Sequence, residues 1–224
     1  IYENDAYHSL SIEGYSVTPE LIDRVRQGSW NPQENEQDRK NRDAMAARGY
    51  WQAFQKVKDN VASIINGAPA GNLVRDSHRE WYREMFQPSV AAGLLQPGAL
   101  AGYRNHPVFI RRSRHVPPRA EAVPEGIAAL FDLLQTETQP SVRAVLGHWL
   151  FGYIHPYPDG NGRMARFLMN AMLASGGYPW TVIRVEDRSA YMAALETAGV
   201  AMDVRAFSVF VGERVNWSAE RSSD

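Results

Sequence analysis

Apolar residues recur at helical spacing along most of the chain, and that periodicity is the tightest constraint on its fold. From Met45 onward, Tyr50, Phe54, Val57, Val61, Ile64 and Ile65 fall on one face of a helix that Asn66-Gly67 ends. Leu73, Val74, Ser77, Trp81, Tyr82 and Met85 form a second stripe, closed before Pro88. Pro124 opens a helix whose buried face is Ile127, Leu130, Phe131 and Leu134. Ser141 reads as the cap of a strongly apolar helix carrying Val142, Val145, Leu146, Trp149, Leu150 and Tyr153. Phe167, Leu168, Met172 and Leu173 mark another, stopped at Gly176-Gly177. Asp187 is expected to cap a helix running to Gly199, and 203–217 reads as the last one. One stretch breaks the pattern: "GYRNHPVFIRRSRHVPP" (102–118) alternates weakly around Val108, Phe109 and Ile110 between prolines, which predicts a short strand or hairpin. The polar run 27–43 reads as a loop with a helix start, and no internal repeat or low-complexity segment is present. The expectation is a single all-α domain over 1–224, a helical bundle with one small β-hairpin flap.

The bulk composition narrows the function classes. With 44% hydrophobic and 22% charged residues the 224-residue chain is of the ordinary globular type. A net charge of -1 gives no overall electrostatic case for a nucleic-acid or membrane partner. The absence of Cys excludes disulfides, thiolate metal sites and cysteine nucleophiles, and it fits a cytoplasmic location. No apolar run approaches a membrane span, and the first residues lack a signal-peptide pattern. The chain opens on Ile1 rather than Met, so it is read as a trimmed piece from which further segments have been cut.

Against that background "HPYPDGNGRMAR" (155–166) is not built like a core segment. His155 closes an apolar helix ahead of Pro156, which disfavours helix continuation and sets an imidazole at the mouth of a loop. An imidazole titrates near neutrality and suits general-base work. Asp159 offers a hard oxygen ligand for Mg²⁺. Gly160, Asn161 and Gly162 can turn backbone N–H groups inward as an anion nest that opens straight into a helix N-terminus. Arg163 and Arg166, one turn apart, can add guanidinium contacts to phosphate oxygens. Taken singly, each piece has a bland reading: "DGNG" is a common turn, and a histidine at a helix end packs or caps more often than it reacts. The joint spacing of base, carboxylate, nest and arginines points to phosphate-ester chemistry.

The same twelve residues resemble the signature of Fic-domain proteins, His-Pro-Phe-x-Asp/Glu-Gly-Asn-Gly-Arg-x-x-Arg, with Tyr157 where Phe is usual. Tyr157 is expected to pack inward with its hydroxyl in need of a partner. The resemblance implies the all-α Fic fold, ATP as substrate, Mg²⁺ as cofactor, and transfer of AMP to a protein hydroxyl of Ser, Thr or Tyr. It implies His155 as general base, Asp159 as metal ligand, Gly160, Asn161 and Gly162 as phosphate nest, and Arg163 and Arg166 as polyphosphate contacts. Residues 102–118 resemble the family's flap, which would clamp an extended target segment through Val108, Phe109 and Ile110 by strand addition. The segment 186–199 resembles the one closing the nucleobase pocket, with Tyr191 as the adenine contact, whereas His148 and His78 are read as packing residues. "RRSR" (111–114) is read as a solvated charge cluster before a device for steering acidic targets.

"SLSIEGYS" (9–16) by itself is a short capped helix with a Gly stop. Beside the signature it resembles the inhibitory helix of self-restrained Fic proteins. Glu13 would then occupy the Arg166 guanidinium, Ser9 would anchor the helix, and Gly14 would turn the chain away. Glu13 is read as a brake, as a base for removing AMP, or as both. Self-modification and a homodimer are further readings that the resemblance leaves open. Two alternatives remain: a Fic-fold phosphotransferase with another nucleotide orientation or donor, and a catalytically silent nucleotide-binding regulator.

Overall fold

The computed structural model describes residues 1–29 and 42–222. In chain order the helices are α1 (Tyr2–Ile12), α2 (Pro19–Arg26), α3 (Arg42–Ile65), α4 (Ala70–Ala91), α5 (Val123–Thr136), α6 (Pro140–Ile154), α7 (Asn161–Ala174), α8 (Arg188–Ala201) and α9 (Arg205–Ser222). Single 3-10 turns lie at Pro97–Leu100, Ala120–Ala122 and Val185–Asp187, and no strand occurs among the described residues. The all-α expectation holds. None of these helices is long and apolar enough to cross a membrane. Most of the polar run at 27–43 lies outside the described residues, and α3 starts at Arg42.

The architecture centres on α7. Every residue from Arg163 to Leu173 is buried, the pattern of a helix enclosed on all sides by protein. It packs along α6 on one side and against α3 and α4 on the other. Phe167 sits among Tyr50, Phe54, Trp81 and Trp180, with ring centroids 4.9 to 6.5 Å away. The pair α3 and α4 is the longest helix contact, closed by Gly67 at a left-handed φ of 101°. Gly49 lies directly on the Met85 carbonyl, so any side chain there would separate the two helices.

Helix boundaries depart from expectation where a breaker or cap acts at a helix end. Pro88 does not close α4; it stands in the last turn, where it forgoes the bond to the carbonyl four residues back, and the chain turns only at Gly93 (φ 72°). Pro140, not Ser141, opens α6, because its fixed φ suits the first helical position. Asp187 stands at the N-cap of α8 without capping it: its carboxylate accepts instead from Arg184 (2.9 Å) and Arg214 (2.6 Å). The α8 helix passes Gly199 and ends at Ala201, and the last helix runs Arg205–Ser222, with the Asp203 carboxylate accepting from the Arg205 amide.

The expected hairpin at 102–118 is not a hairpin of strands. Pro107, Pro117 and Pro118 have no N–H to give to a ladder, and a turn at Ile110–Ser113, with Arg112 at φ 63°, joins two unpaired arms. Side chains hold the arms in place of a ladder. Glu196 on α8 accepts from Ser113 Oγ (2.5 Å) and the Arg114 amide (2.9 Å), and the His115 ring bonds the Tyr153 carbonyl (2.8 Å).

Two packing features generate tests. Tyr157 is buried, stacked on Tyr82 at 3.7 Å and 5°, yet its hydroxyl finds no partner among the described residues. The inward packing is as expected; the partner is missing. A buried unsatisfied hydroxyl costs about 1–3 kcal/mol. Tyr157→Phe is therefore expected to raise unfolding stability by about 1 kcal/mol in urea denaturation, and a loss of stability would show that the hydroxyl is satisfied in solution.

The second concerns α1, which docks through Asp5, a buried carboxyl that accepts from the Tyr50 hydroxyl at 2.5 Å. Burial raises its pKa, against the lowering effects of its hydrogen bonds and of Arg166. Its stabilising contribution is thus complete below the ordinary value of 3.8 and is lost as pH rises through the raised one. Asp5→Asn keeps the acceptor without the charge, so its melting temperature is expected to gain on that of the parent as pH rises from 4 to 8. Parallel curves would show that Asp5 is already accommodated as an anion.

Candidate active site

The loop between α6 and α7 carries the site. His155 is the C-cap of α6, its amide bonded to the Phe151 carbonyl at 3.0 Å, and it takes a left-handed conformation (φ 52°) before Pro156. Its Nδ1 lies 3.2 Å from the Gly152 carbonyl. A carbonyl only accepts, so Nδ1 carries the proton and Nε2 is left with a free lone pair. Burial pushes the imidazole pKa down, and the Gly152 hydrogen bond only partly offsets that. A neutral ring with an open Nε2 is what a general base requires.

Asn161 shapes the loop by a reciprocal pair. Its Oδ1 accepts from the Tyr157 amide at 2.9 Å, and its Nδ2 donates to the Tyr157 carbonyl at 2.7 Å. Gly160 takes φ 82° against Phe86, where a Cβ would come within 2.8 Å of the ring. No other residue fits both demands. The first backbone bond of α7 is Met164 N–H to the Gly160 carbonyl at 3.0 Å. The amides before it in the first turn have no intrahelical acceptor, and the helix dipole adds positive potential there. Asp159 accepts from the Gly160 amide at 2.6 Å and leaves most of its carboxylate exposed.

Arg166 is 3% exposed and fully engaged. Its Nε donates to Ser9 Oγ (2.8 Å), its Nη2 to the Ser9 carbonyl (3.1 Å) and to Glu13 Oε1 (2.7 Å), and its Nη1 to the Tyr191 hydroxyl (3.4 Å). Burial disfavours the cation most strongly, yet the Glu13 carboxylate together with Tyr191 and Tyr50 outweighs it and holds the guanidinium pKa above its ordinary value. The same carboxylate lies against Gly162, where a Cβ would collide with Glu13 Oε1. Gly14, at φ 86°, ends α1 just behind it. Ser9, Glu13 and Gly14 thus meet the signature segment as one unit, and Glu13 lies over the first turn of α7.

The remaining expected residues are placed unevenly. Tyr191 lines the cavity but is buried, its hydroxyl shared between Arg166 and His148 Nε2 (2.8 Å). His148 and His78 are core histidines, with burial lowering their pKa to about 3 and about 4. Arg163 stays off the cavity wall, buried between the Tyr15 and Phe86 rings (5.2 and 5.1 Å) with its Nη2 3.4 Å from Asp159. Ile110 reaches the cavity, Val108 is half-buried beside it, and Phe109 points to solvent, 80% exposed. The cavity itself, about 270 Å³, is bounded by Glu13, His155, Gly162 and Arg166 on one side and by Arg111, Arg112 and α8 on the other. Two residues escaped the sequence reading. Glu196 fastens the 102–118 turn, and Arg104 is buried under the loop with backbone carbonyls as its partners. Neither carries a sequence signal, because an isolated Arg or Glu in a helical or loop context is ordinarily a surface residue.

Comparison with known proteins agrees with this geometry. Residues 72–173 match the model of the Fic/DOC family. The chain is similar to Protein adenylyltransferase Fic of Nematostella vectensis, 40% identical over 123 residues, which cover 53% of this chain and 28% of that protein. It is also similar to Protein adenylyltransferase fic-1 of Caenorhabditis elegans, 32% identical over 133 residues, covering 58% of this chain and 26% of the relative. The chain therefore spans only about a quarter of the length of these curated relatives. Among solved structures it superposes on Fic-1 (residues 134–508) from C. elegans with a TM-score of 0.78 at 22% identity, covering 98% of this chain and 62% of that one. A Fic family protein from Desulfovibrio desulfuricans G20 gives 0.75 at 22% identity, covering 99% and 64%. Such likeness carries the fold, and the matched segment contains the whole 155–166 loop. The chain carries a Fic/DOC-family domain in the all-α Fic fold.

Proposed function

We propose that the chain is a protein adenylyltransferase that moves AMP from ATP to a hydroxyl side chain of a target protein, held in check by Glu13. The observation that carries this reading is the place of the Glu13 carboxylate: on Arg166 and over the first turn of α7, where an anionic ligand would be received. A buried guanidinium without an anion is costly, so Arg166 must hold either Glu13 or a phosphate oxygen. The names of the similar proteins support ATP as the nucleotide.

In the reaction, His155 Nε2 takes the proton of the target hydroxyl as its oxygen attacks the α-phosphorus. The bond to the bridging oxygen breaks, pyrophosphate leaves, and AMP remains as a phosphoester on the target. The amides of α7's first turn and Arg166 hold the departing phosphates by electrostatics that need no reorganisation. With Glu13 in place Arg166 is engaged and the first turn of α7 is covered, the polyphosphate sits displaced, and a misplacement of about 1 Å can cost about a hundredfold. Mg²⁺ would supply charge neutralisation on the phosphates. Among the described residues no cluster of three His, Asp or Glu exists to cage it. One exposed carboxylate, Asp159, fits a cation that arrives with its phosphates and keeps most of its waters. Arg163, beside Asp159, would steady that carboxylate.

Intact mass spectrometry after incubation with ATP, Mg²⁺ and a hydroxyl-bearing acceptor protein tests the reading. Glu13→Gly is expected to increase the AMP-sized adduct by about a hundredfold, and adding His155→Ala should abolish it. Asp159→Asn in the Glu13→Gly chain should raise the Mg²⁺ concentration required. A phosphate-sized adduct would reverse the donor orientation, and ATP binding without any adduct would leave a nucleotide-binding regulator.

A further inference from the structure

Beneath the loop lies a buried cation with no carboxylate in contact among the described residues, Glu121 acting on it only from beyond ion-pair distance. Arg104 is 4% exposed, and no ion pair to it forms among the described residues. Its donors go to main-chain oxygens. Nε donates to the His155 carbonyl (2.7 Å), Nη1 to the His106 carbonyl (3.1 Å), and Nη2 to the carbonyls of Pro118 (2.5 Å) and Ile154 (3.4 Å). Its own amide donates to the Pro156 carbonyl at 2.8 Å. Arg104 therefore takes the oxygens of three successive residues where α6 ends. They carry the negative end of the helix dipole, which compensates a buried guanidinium that lacks a contacting acid.

The pattern of acceptors matters more than their number. Ile154, His155 and Pro156 belong to the helix end that presents the imidazole, while His106 and Pro118 belong to opposite arms of the 102–118 loop. One rigid, planar fork spans all three segments. We infer that Arg104 is a positioning residue that fixes the His155 backbone in its left-handed conformation and locks both arms of the loop to it, so that base and target clamp move as one body.

The inference rests on His155 being the base. It adds that the base's geometry depends on a residue that lines no part of the cavity. A lysine could not reproduce the fork, because a single ammonium nitrogen cannot reach carbonyls on three separate segments at once. Charge and geometry are separable here. His155 faces the Arg104 cation from the loop side, Glu13 from α1 and Asp159 from its own loop; Arg104 lowers its pKa, whereas the two carboxylates raise it.

The test uses the Glu13→Gly chain as parent and compares Arg104→Lys and Arg104→Met. For Arg104→Lys, kcat for AMP transfer is expected to fall about tenfold or more with the KM for ATP unchanged, and the acid limb of the pH–rate profile should stay in place. For Arg104→Met, kcat should fall further and the acid limb should move to higher pH, because the neighbouring cation is gone. The ring titration of His155 followed by NMR, without ATP, should show the same upward shift in Arg104→Met only. That measurement stands even if the parent transfers nothing, so loss of the adenylyltransferase reading and loss of this one are told apart. Folded variants with the parent's kcat and the parent's ring titration would overturn the assignment. Should Arg104→Met fail to fold, Arg104→Lys decides: a kcat equal to the parent's refutes the fork, and a lowered kcat at constant KM for ATP supports it.

Discussion

The buried guanidinium of Arg166 is the interaction on which the rest of the site depends. It sits on α7, the helix that the core encloses on every side, so its position is set by packing and not by any ligand. A cation held that rigidly in a low-dielectric interior demands an anion. The chain supplies one from α1, with Glu13 at 2.7 Å and the Ser9 hydroxyl at 2.8 Å on a second nitrogen. Because the same carboxylate covers Gly162, one side chain fills both the arginine site and the helix N-terminus. A buried guanidinium beside a helix N-terminus and the carboxylate that lies on both are therefore written into one chain.

Three arginines are buried around this loop, and the opposite solutions of Arg166 and Arg104 explain how it keeps its shape. Arg166 lies near the start of α7, where the positive dipole end offers it no relief, so it needs a carboxylate. Arg104 lies at the end of α6, where the carbonyls themselves supply negative potential, so it needs none. Between these two fixed charges the chain runs from His155 to Asn161 with little freedom left. Asn161 pins Tyr157 from both sides, and Tyr157 stacks on Tyr82 of α4. The loop is thereby fixed at both its ends and in its middle.

Much of this was legible in the sequence because the governing forces are local. The stops at Gly67 and Gly177 follow from left-handed backbone, and the spacing of Ser9, Glu13 and Gly14 matched the unit that reaches Arg166. The failures are non-local. Weak alternation around Phe109 could not reveal that prolines in both arms leave no ladder to form. Arg163 and Arg166 are three residues apart, and about 60° of rotation separates them on a helix. That is enough for Tyr15 and Phe86 to draw Arg163 away while Arg166 faces α1. Arg104 lay beyond reach altogether, since nothing local distinguishes a guanidinium bound for buried carbonyls from one bound for water.

What holds Glu13 differs from what holds the helix that carries it. Helix α1 is fastened by Tyr2, Ala6, Leu10 and Ile12 in the core, by Asp5 on Tyr50, and by Ser9 on Arg166. At its end, Arg188 donates to the Ile12 carbonyl. Glu13 comes after all of these, at the C-cap, with its side chain 27% exposed and Gly14 next to it free to take left-handed backbone. A phosphate competing for Arg166 contends with one carboxylate and its single short bond; the docking of α1 does not enter, because Ser9 retains the guanidinium's Nε and one Nη2 contact. In the proposed reading of Glu13 as a brake, its strength is thereby separate from the stability of the helix, and substitutions at Glu13 act on the first while those at Asp5 act on the second.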